Sequence, residues 1–146
     1  METIVIYDSK YGNTEKIART IGESIGAQVR LAGDTQPAEL KEFNVLIVGS
    51  PTHGGFPSEA IHNLLKAMSA LEGIDTAAFD TRTKTTIFGY AAPKIAKSLK
   101  KKGANLLLLP EGFFVLGTEG PLMDGELERA TEWAKKIVNI MENRNA

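Results

Sequence analysis

Short apolar runs alternate along this chain with stretches in which apolar residues return every three or four positions. Thr3-Ile4-Val5-Ile6-Tyr7 is nearly continuous and β-branched, the pattern of a strand buried on both faces. Ile17, Ala18, Ile21 and Ile25 then recur at helical spacing, with Gly26 placed as a C-cap. Residues 27–31 alternate more weakly, as suits a sheet edge. Residues 37–41 predict a short helix, and Val45-Leu46-Ile47-Val48 predicts the clearest buried strand. Ile61, Leu64, Leu65, Met68 and Leu71 form the stripe of the next helix, with Pro57 in its first turn. Residues 76–79 predict a fourth strand. Ile95, Ala96 and Leu99 mark a helix that ends in Lys100, Lys101 and Lys102, with Gly103 after it, an order that suits the helix dipole and a left-handed cap. Leu106-Leu107-Leu108-Leu109 predicts strand five, with a continuation at Phe113-Phe114-Val115. A last helix carries Leu127, Ala130, Ala134, Ile137, Val138 and Met141 on one face, with Asp124 capping its start and Trp133 as a packing residue.

Repeated strand–helix units predict an α/β chain with a mostly parallel sheet and helices on both faces. Right-handed crossovers leave only a few doubly wound arrangements. Ligands of such sheets sit beyond the carboxyl ends of the strands, at a topological switch point. The loops after strands one, three and four are therefore the candidate site.

Composition narrows the chemistry. The 146 residues suit a single domain over 1–146, with 42% hydrophobic and 24% charged residues. There is no cysteine, so disulfides, thiolate metal sites and cysteine nucleophiles are excluded, and redox chemistry needs a bound cofactor. His53 and His62 are the only histidines, and nine residues apart without cysteines they do not make a metal site. A net charge of −1 supplies no global field toward nucleic acid, and the absence of a long apolar run argues against membrane insertion. Met1-Glu2-Thr3-Ile4 does not read as a signal peptide, so a cytoplasmic location is expected.

Strand one runs into Asp8-Ser9-Lys10-Tyr11-Gly12-Asn13-Thr14 and then a helix. Amides at a helix N-terminus favour an anion, Gly12 permits close backbone approach, and Ser9, Asn13 and Thr14 add polar side chains, with Lys10 adding charge. The same residues also serve as an ordinary helix cap. Neither G-x-x-x-x-G-K-S/T nor G-x-G-x-x-G occurs. After strand three comes Val48-Gly49-Ser50-Pro51-Thr52-His53-Gly54-Gly55-Phe56-Pro57, a segment able to form a turn or one wall of a flat slot.

The first of these segments resembles the FMN phosphate loop of flavodoxins, and is closer to the flavodoxin domains of A-type flavoproteins than to short-chain flavodoxins. Tyr11 stands where the family pattern Ser/Thr-x-Thr-Gly-Asn/Ser-Thr has Thr. The second resembles the family's Gly/Ser-Ser-Pro-Thr-Tyr/His segment, which packs against the flavin. The resemblance implies a three-layer α-β-α sandwich with a five-stranded parallel sheet in order 2-1-3-4-5. It implies FMN as cofactor, with Ser9, Lys10, Tyr11, Gly12, Asn13 and Thr14 around the phosphate. Pro51, Thr52, His53, Gly54 and Gly55 would lie beside the ring, and a peptide of the double glycine could reorient when the flavin is reduced. By a looser match, Phe88, Gly89 and Tyr90 in the loop after strand four would contact the flavin, or else pack the following helix.

The function so implied is electron transfer between redox partner proteins, by a monomer or weak homodimer with no catalytic side chain. An FMN-dependent reductase of quinones or nicotinamide cofactors is one alternative, and a flavodoxin-fold binding module without flavin is another. The lysines of the fourth helix, Lys94, Lys97, Lys100, Lys101 and Lys102, read as a solvated face or as a docking patch for an acidic partner.

Overall fold

The computed structural model describes residues 2–85 and 87–144; Met1, Thr86, Asn145 and Ala146 lie outside them. Strands β1 (Thr3–Tyr7), β2 (Gln28–Leu31), β3 (Val45–Pro51) and β4 (Asp75–Arg82) build a parallel sheet in the order β2-β1-β3-β4. The fifth position is filled by two segments, β5 (Asn105–Leu106) and β6 (Glu111–Phe114), both parallel to β4. The architecture is the expected three-layer sandwich with sheet order 2-1-3-4-5. Helices α1 (Asn13–Ile25), α2 (Glu59–Ala67), α3 (Ala91–Lys101) and α4 (Glu126–Arg144) cover its two faces. Among the described residues, no helix is long and apolar enough to cross a membrane.

The two-residue period of the strands divides the core. Ile4, Ile6, Leu46, Val48 and Ala78 face one side, where they meet Ile61 and Leu65 of α2 and Ile95 and Leu99 of α3. Val5, Tyr7, Ile47, Ala77 and Phe79 face the other, against Ile17 and Ile21 of α1 and Ala130, Trp133 and Ile137 of α4. Phe79, Phe113 and Trp133 meet pairwise edge to face at centroid distances of 6.0–6.1 Å, the arrangement that ring quadrupoles favour.

Several local expectations shift. Residues 37–42 form a 3-10 helix, Pro37–Glu42, held by a capping box between Gln36 and Glu39. Ser58 caps α2, so Pro57 precedes the helix instead of opening it. Strand β4 runs on to Arg82, three residues past the expected end. Helix α4 starts at Glu126, after Gly125 rather than at Asp124. Leu127 is exposed, and Trp133 takes its expected place in the core. The edge strand is broken because the chain advances five residues, from Leu106 to Glu111, where β4 advances three, from Thr76 to Phe79. The excess is an excursion that leaves Leu109 83% exposed.

Candidate functional site

Strand succession reverses at β1, with β2 added on one flank and β3 on the other, so the carboxyl ends of these parallel strands open a crevice. The turn after β1 is built around Ser9, whose Oγ accepts from the amides of Gly12 at 3.1 Å and Glu15 at 3.3 Å. Gly12 adopts φ 93°, a left-handed conformation that L side chains disfavour, and this directs the chain into α1. As the first residues of that helix, Asn13 and Thr14 have no intrahelical acceptor for their amides. Among the described residues these two amides, with that of Tyr11, have no protein acceptor. Thr14 is buried, and its hydroxyl shares a 2.7 Å hydrogen bond with that of Thr81 at the end of β4. Asn13 is committed to structure on one side, because its Nδ2 donates to the Glu119 carbonyl at 3.2 Å. That bond ties the loop after β6 to the first turn.

The loop after β3 is equally ordered. Ser50 Oγ accepts from the Ser58 amide at 2.9 Å, and the Thr52 amide donates to the Thr81 carbonyl at 2.9 Å. Thr52 Oγ1 accepts from the Ala91 amide at 3.2 Å, which places Thr52 at the start of α3. His53 and Phe56 exchange two main-chain hydrogen bonds, of 2.8 and 3.0 Å, around Gly54 (φ 56°) and Gly55 (φ 87°). Two consecutive positive φ values make this a type I′ turn. Gly55 also packs on the third loop: a Cβ there would meet the carbonyl oxygen of Phe88, with the carbonyl carbon 2.7 Å away. Lys94 braces the pair, donating to the carbonyls of Gly55 and Phe88 with its Nζ 3.8 Å from the Phe56 ring centroid.

At the end of β4, Asp80 has no exposed surface and accepts from the Ala92 amide at 2.8 Å. Arg82 grips it with two bonds of 2.7 Å, and Tyr90 stacks on the guanidinium with its ring centroid 3.5 Å from Cζ. Burial pushes the Asp80 carboxyl above the usual carboxylate range, against the opposing pull of Arg82 and the Ala92 amide.

These loops enclose a cavity of about 360 Å³, within the range of small-molecule sites. Ser9, Lys10, Tyr11, Asn13 and Thr14 line one part of it, with Gly12 shaping the turn between them. Pro51, Thr52, His53, Gly54 and Gly55 line another. Phe88, Gly89 and Tyr90 are not in its wall: Phe88 is 66% exposed and Tyr90 backs Arg82. In their place stand Thr81, Arg82, Thr83 and Thr85 from the end of β4, and Val115 and Thr118 from the loop after β6. The β4 residues had a sequence signal, since a polar Asp80-Thr81-Arg82-Thr83 run follows the apolar part of a strand. Val115 and Thr118 had none beyond the glycine-rich composition of residues 111–121.

No carboxylate lines the cavity among the described residues, whereas Lys10 and Arg82 both do. Free helix amides, threonine hydroxyls and cations form a donor set suited to a phosphate ester, and a flat cofactor head could lie between the loops after β3 and β4. No group of acidic residues and histidines among the described residues could hold a metal ion.

The comparisons agree with this architecture. A protein of Methanocaldococcus jannaschii described as uncharacterized is 27% identical over 118 residues, covering 80% of this chain and 72% of that protein. The crystal structure of oxidised Flavodoxin 2 from Bacillus cereus superposes with a TM-score of 0.85 at 21% identity, covering 95% of this chain and 99% of that one. Rubredoxin oxygen:oxidoreductase from Desulfovibrio gigas superposes with a TM-score of 0.81 at 21% identity, over 99% of this chain but 37% of that one. At such identities these structures speak for the fold. The flavodoxin family model matches residues 5–133, and the chain therefore belongs to the flavodoxin family.

Proposed function

We propose that this chain binds FMN in the cavity at the carboxyl ends of β1, β3 and β4 and carries electrons between redox partner proteins. The observation that carries the reading is the turn after β1. Its Tyr11, Asn13 and Thr14 amides lack protein acceptors, and it opens into a cavity lined by hydroxyls and cations and by no carboxylate among the described residues. Bound FMN would supply one- and two-electron chemistry that no side chain here provides.

The chain's own residues divide the work of holding it. The amides of Tyr11, Asn13 and Thr14 and the Ser9 hydroxyl would receive the phosphate, with Lys10 adding charge. Pro51, Thr52 and His53 would give the ring one wall. The type I′ turn at Gly54-Gly55 would let its central peptide change orientation cheaply, because neither residue carries a Cβ. Thr52 ties this wall to β4 through the Thr81 carbonyl and to α3 through the Ala91 amide.

Isothermal titration calorimetry with oxidised FMN and with riboflavin tests the reading. The expected result is FMN binding at micromolar Kd or tighter, with riboflavin weaker by about a hundredfold, the equivalent of ~2.7 kcal/mol assigned to the phosphate. No association of FMN at micromolar protein would overturn it. Rapid NADH or NADPH oxidation by the FMN-loaded protein with a quinone would assign it to the reductases instead.

A further inference from the structure

Arg82 is held in one place by three neighbours. Its Nε and Nη2 each lie 2.7 Å from a carboxylate oxygen of Asp80, and the Tyr90 ring covers its flat face. The Gly112 backbone approaches so closely that a Cβ there would stand 2.6 Å from Nη2. The side chain is 14% exposed and lines the cavity, whereas Asp80 has no exposure and lies outside the lining. The pair is thus polarised, with Arg82 in the wall and Asp80 behind it, against the first turn of α3. A guanidinium keeps its charge at every physiological pH, and a charge already fixed in place needs no reorganisation when a new charge develops beside it.

We propose that Arg82 is a built-in counter-cation that favours the reduced, negatively charged form of the bound flavin. This rests on the FMN reading above. Full reduction takes two electrons from a reductant, here the redox partner protein, which is oxidised by the same two electrons. With one proton taken from solvent, the flavin gains one net negative charge. Arg82 stabilises that charge, and Asp80 partly screens it, so the two residues act with opposite signs. The chain would therefore hold its flavin at a less negative potential than the same cavity without this cation.

The test is spectroelectrochemical titration of the FMN-loaded protein at neutral pH, with the Kd for oxidised FMN measured on every variant. Arg82→Met should lower the equilibrium constant for two-electron reduction by about tenfold or more, which is ~30 mV more negative in the two-electron midpoint. Arg82→Lys should recover most of that loss. Asp80→Asn, which keeps an oxygen for the Ala92 amide, should move the potential the other way because it unscreens the cation. Arg82→Met leaves a buried carboxylate unpaired, so the double variant Arg82→Met/Asp80→Asn supplies a neutral wall, and it should share the negative shift. Potentials of the double variant within about threefold of wild type in equilibrium constant, or shifts of Arg82→Met and Asp80→Asn in the same direction, would overturn the proposal. If wild type takes up no FMN, the FMN reading fails and takes this proposal with it. If FMN binds and the potentials ignore Arg82, only this proposal fails.

Discussion

The two glycines of the His53–Phe56 turn look equivalent in the sequence, but the structure separates them. Both have positive φ, so alanine at either position carries a left-handed strain of ~1–2 kcal/mol. At Gly54 an added Cβ meets nothing within 4 Å, and that strain is the whole cost. At Gly55 the same Cβ lands 2.7 Å from the Phe88 carbonyl carbon and 2.8 Å from its Cβ, where ordinary contact begins near 3.4 Å. Backbone has to move by more than half an ångström, and overpacking of this kind costs ~1–3 kcal/mol. The movement also pulls the Gly55 and Phe88 carbonyls away from Lys94, at ~1 kcal/mol for each bond lost. Gly54→Ala should therefore cost ~1–2 kcal/mol and Gly55→Ala ~3–5 kcal/mol. Urea denaturation reads the difference as a lower midpoint for Gly55→Ala at unchanged m-value. FMN affinity should fall with Gly55→Ala and change less with Gly54→Ala, because only the former displaces the third loop. Equal midpoints for the two variants would refute the packing argument, as would a larger loss at Gly54.

Two further expectations concern the braces around the site. Burial alone would raise the Glu126 carboxyl, but its bonds to Arg129 and the Phe114 amide, together with the charges of Arg129 and Lys84, outweigh that and hold it below the ordinary value of 4.5. A depressed folded-state pKa gives stability that is present above the unfolded value and lost as pH falls through the folded one. Glu126→Gln should therefore cost ~1.5–3 kcal/mol at pH 7, with a gap to wild type that narrows below about pH 4; a gap constant from pH 7 to pH 3 in urea melts would refute this. Lys94→Met keeps the aliphatic stem over Phe56 but removes the donor to Gly55 and Phe88. It should lower the unfolding free energy by ~1–2 kcal/mol, read as a lower urea midpoint, and speed amide exchange at residues 53–56, while the amides of β1 and β3 stay unchanged.

The interior of the sheet was readable because its pattern is local. Ile4 and Ile6 against Val5 and Tyr7, or Leu46 and Val48 against Ile47, state in five residues which side each belongs to. The edge was not readable, because four consecutive leucines carry no period. Asn105 and Leu106 begin the ladder and the Leu107 amide still donates to Thr76, but the chain then leaves the sheet and returns only at Glu111, after Pro110, which has no amide to donate. Leu127 failed for a related reason. A 19-residue helix offers several registers of apolar stripe, and the bulk of Trp133 against Phe79 and Phe113 selects one of them.

The site divides along the same line. The turns after β1 and β3 are continuous segments, so Ser9 to Thr14 and Pro51 to Gly55 could be named from the family resemblance that their glycines and hydroxyls carry. Asp80, Arg82, Val115 and Thr118 enter through contacts between segments far apart in the chain, such as Asn13 with Glu119 and Thr14 with Thr81. One signal for them is nevertheless present. In β4 the apolar Ala77, Ala78 and Phe79 give way to Asp80, Thr81 and Arg82 while the strand still pairs with β3 and β6. Alternation then sends Asp80 and Arg82 together toward α3 and sends Thr81 the other way, onto Thr14. A strand that turns polar before it ends cannot be adding core, because a buried charge needs a partner and a hydroxyl needs an acceptor. The point at which β4 changes character is the point at which the sheet stops supporting the fold and starts forming the cavity.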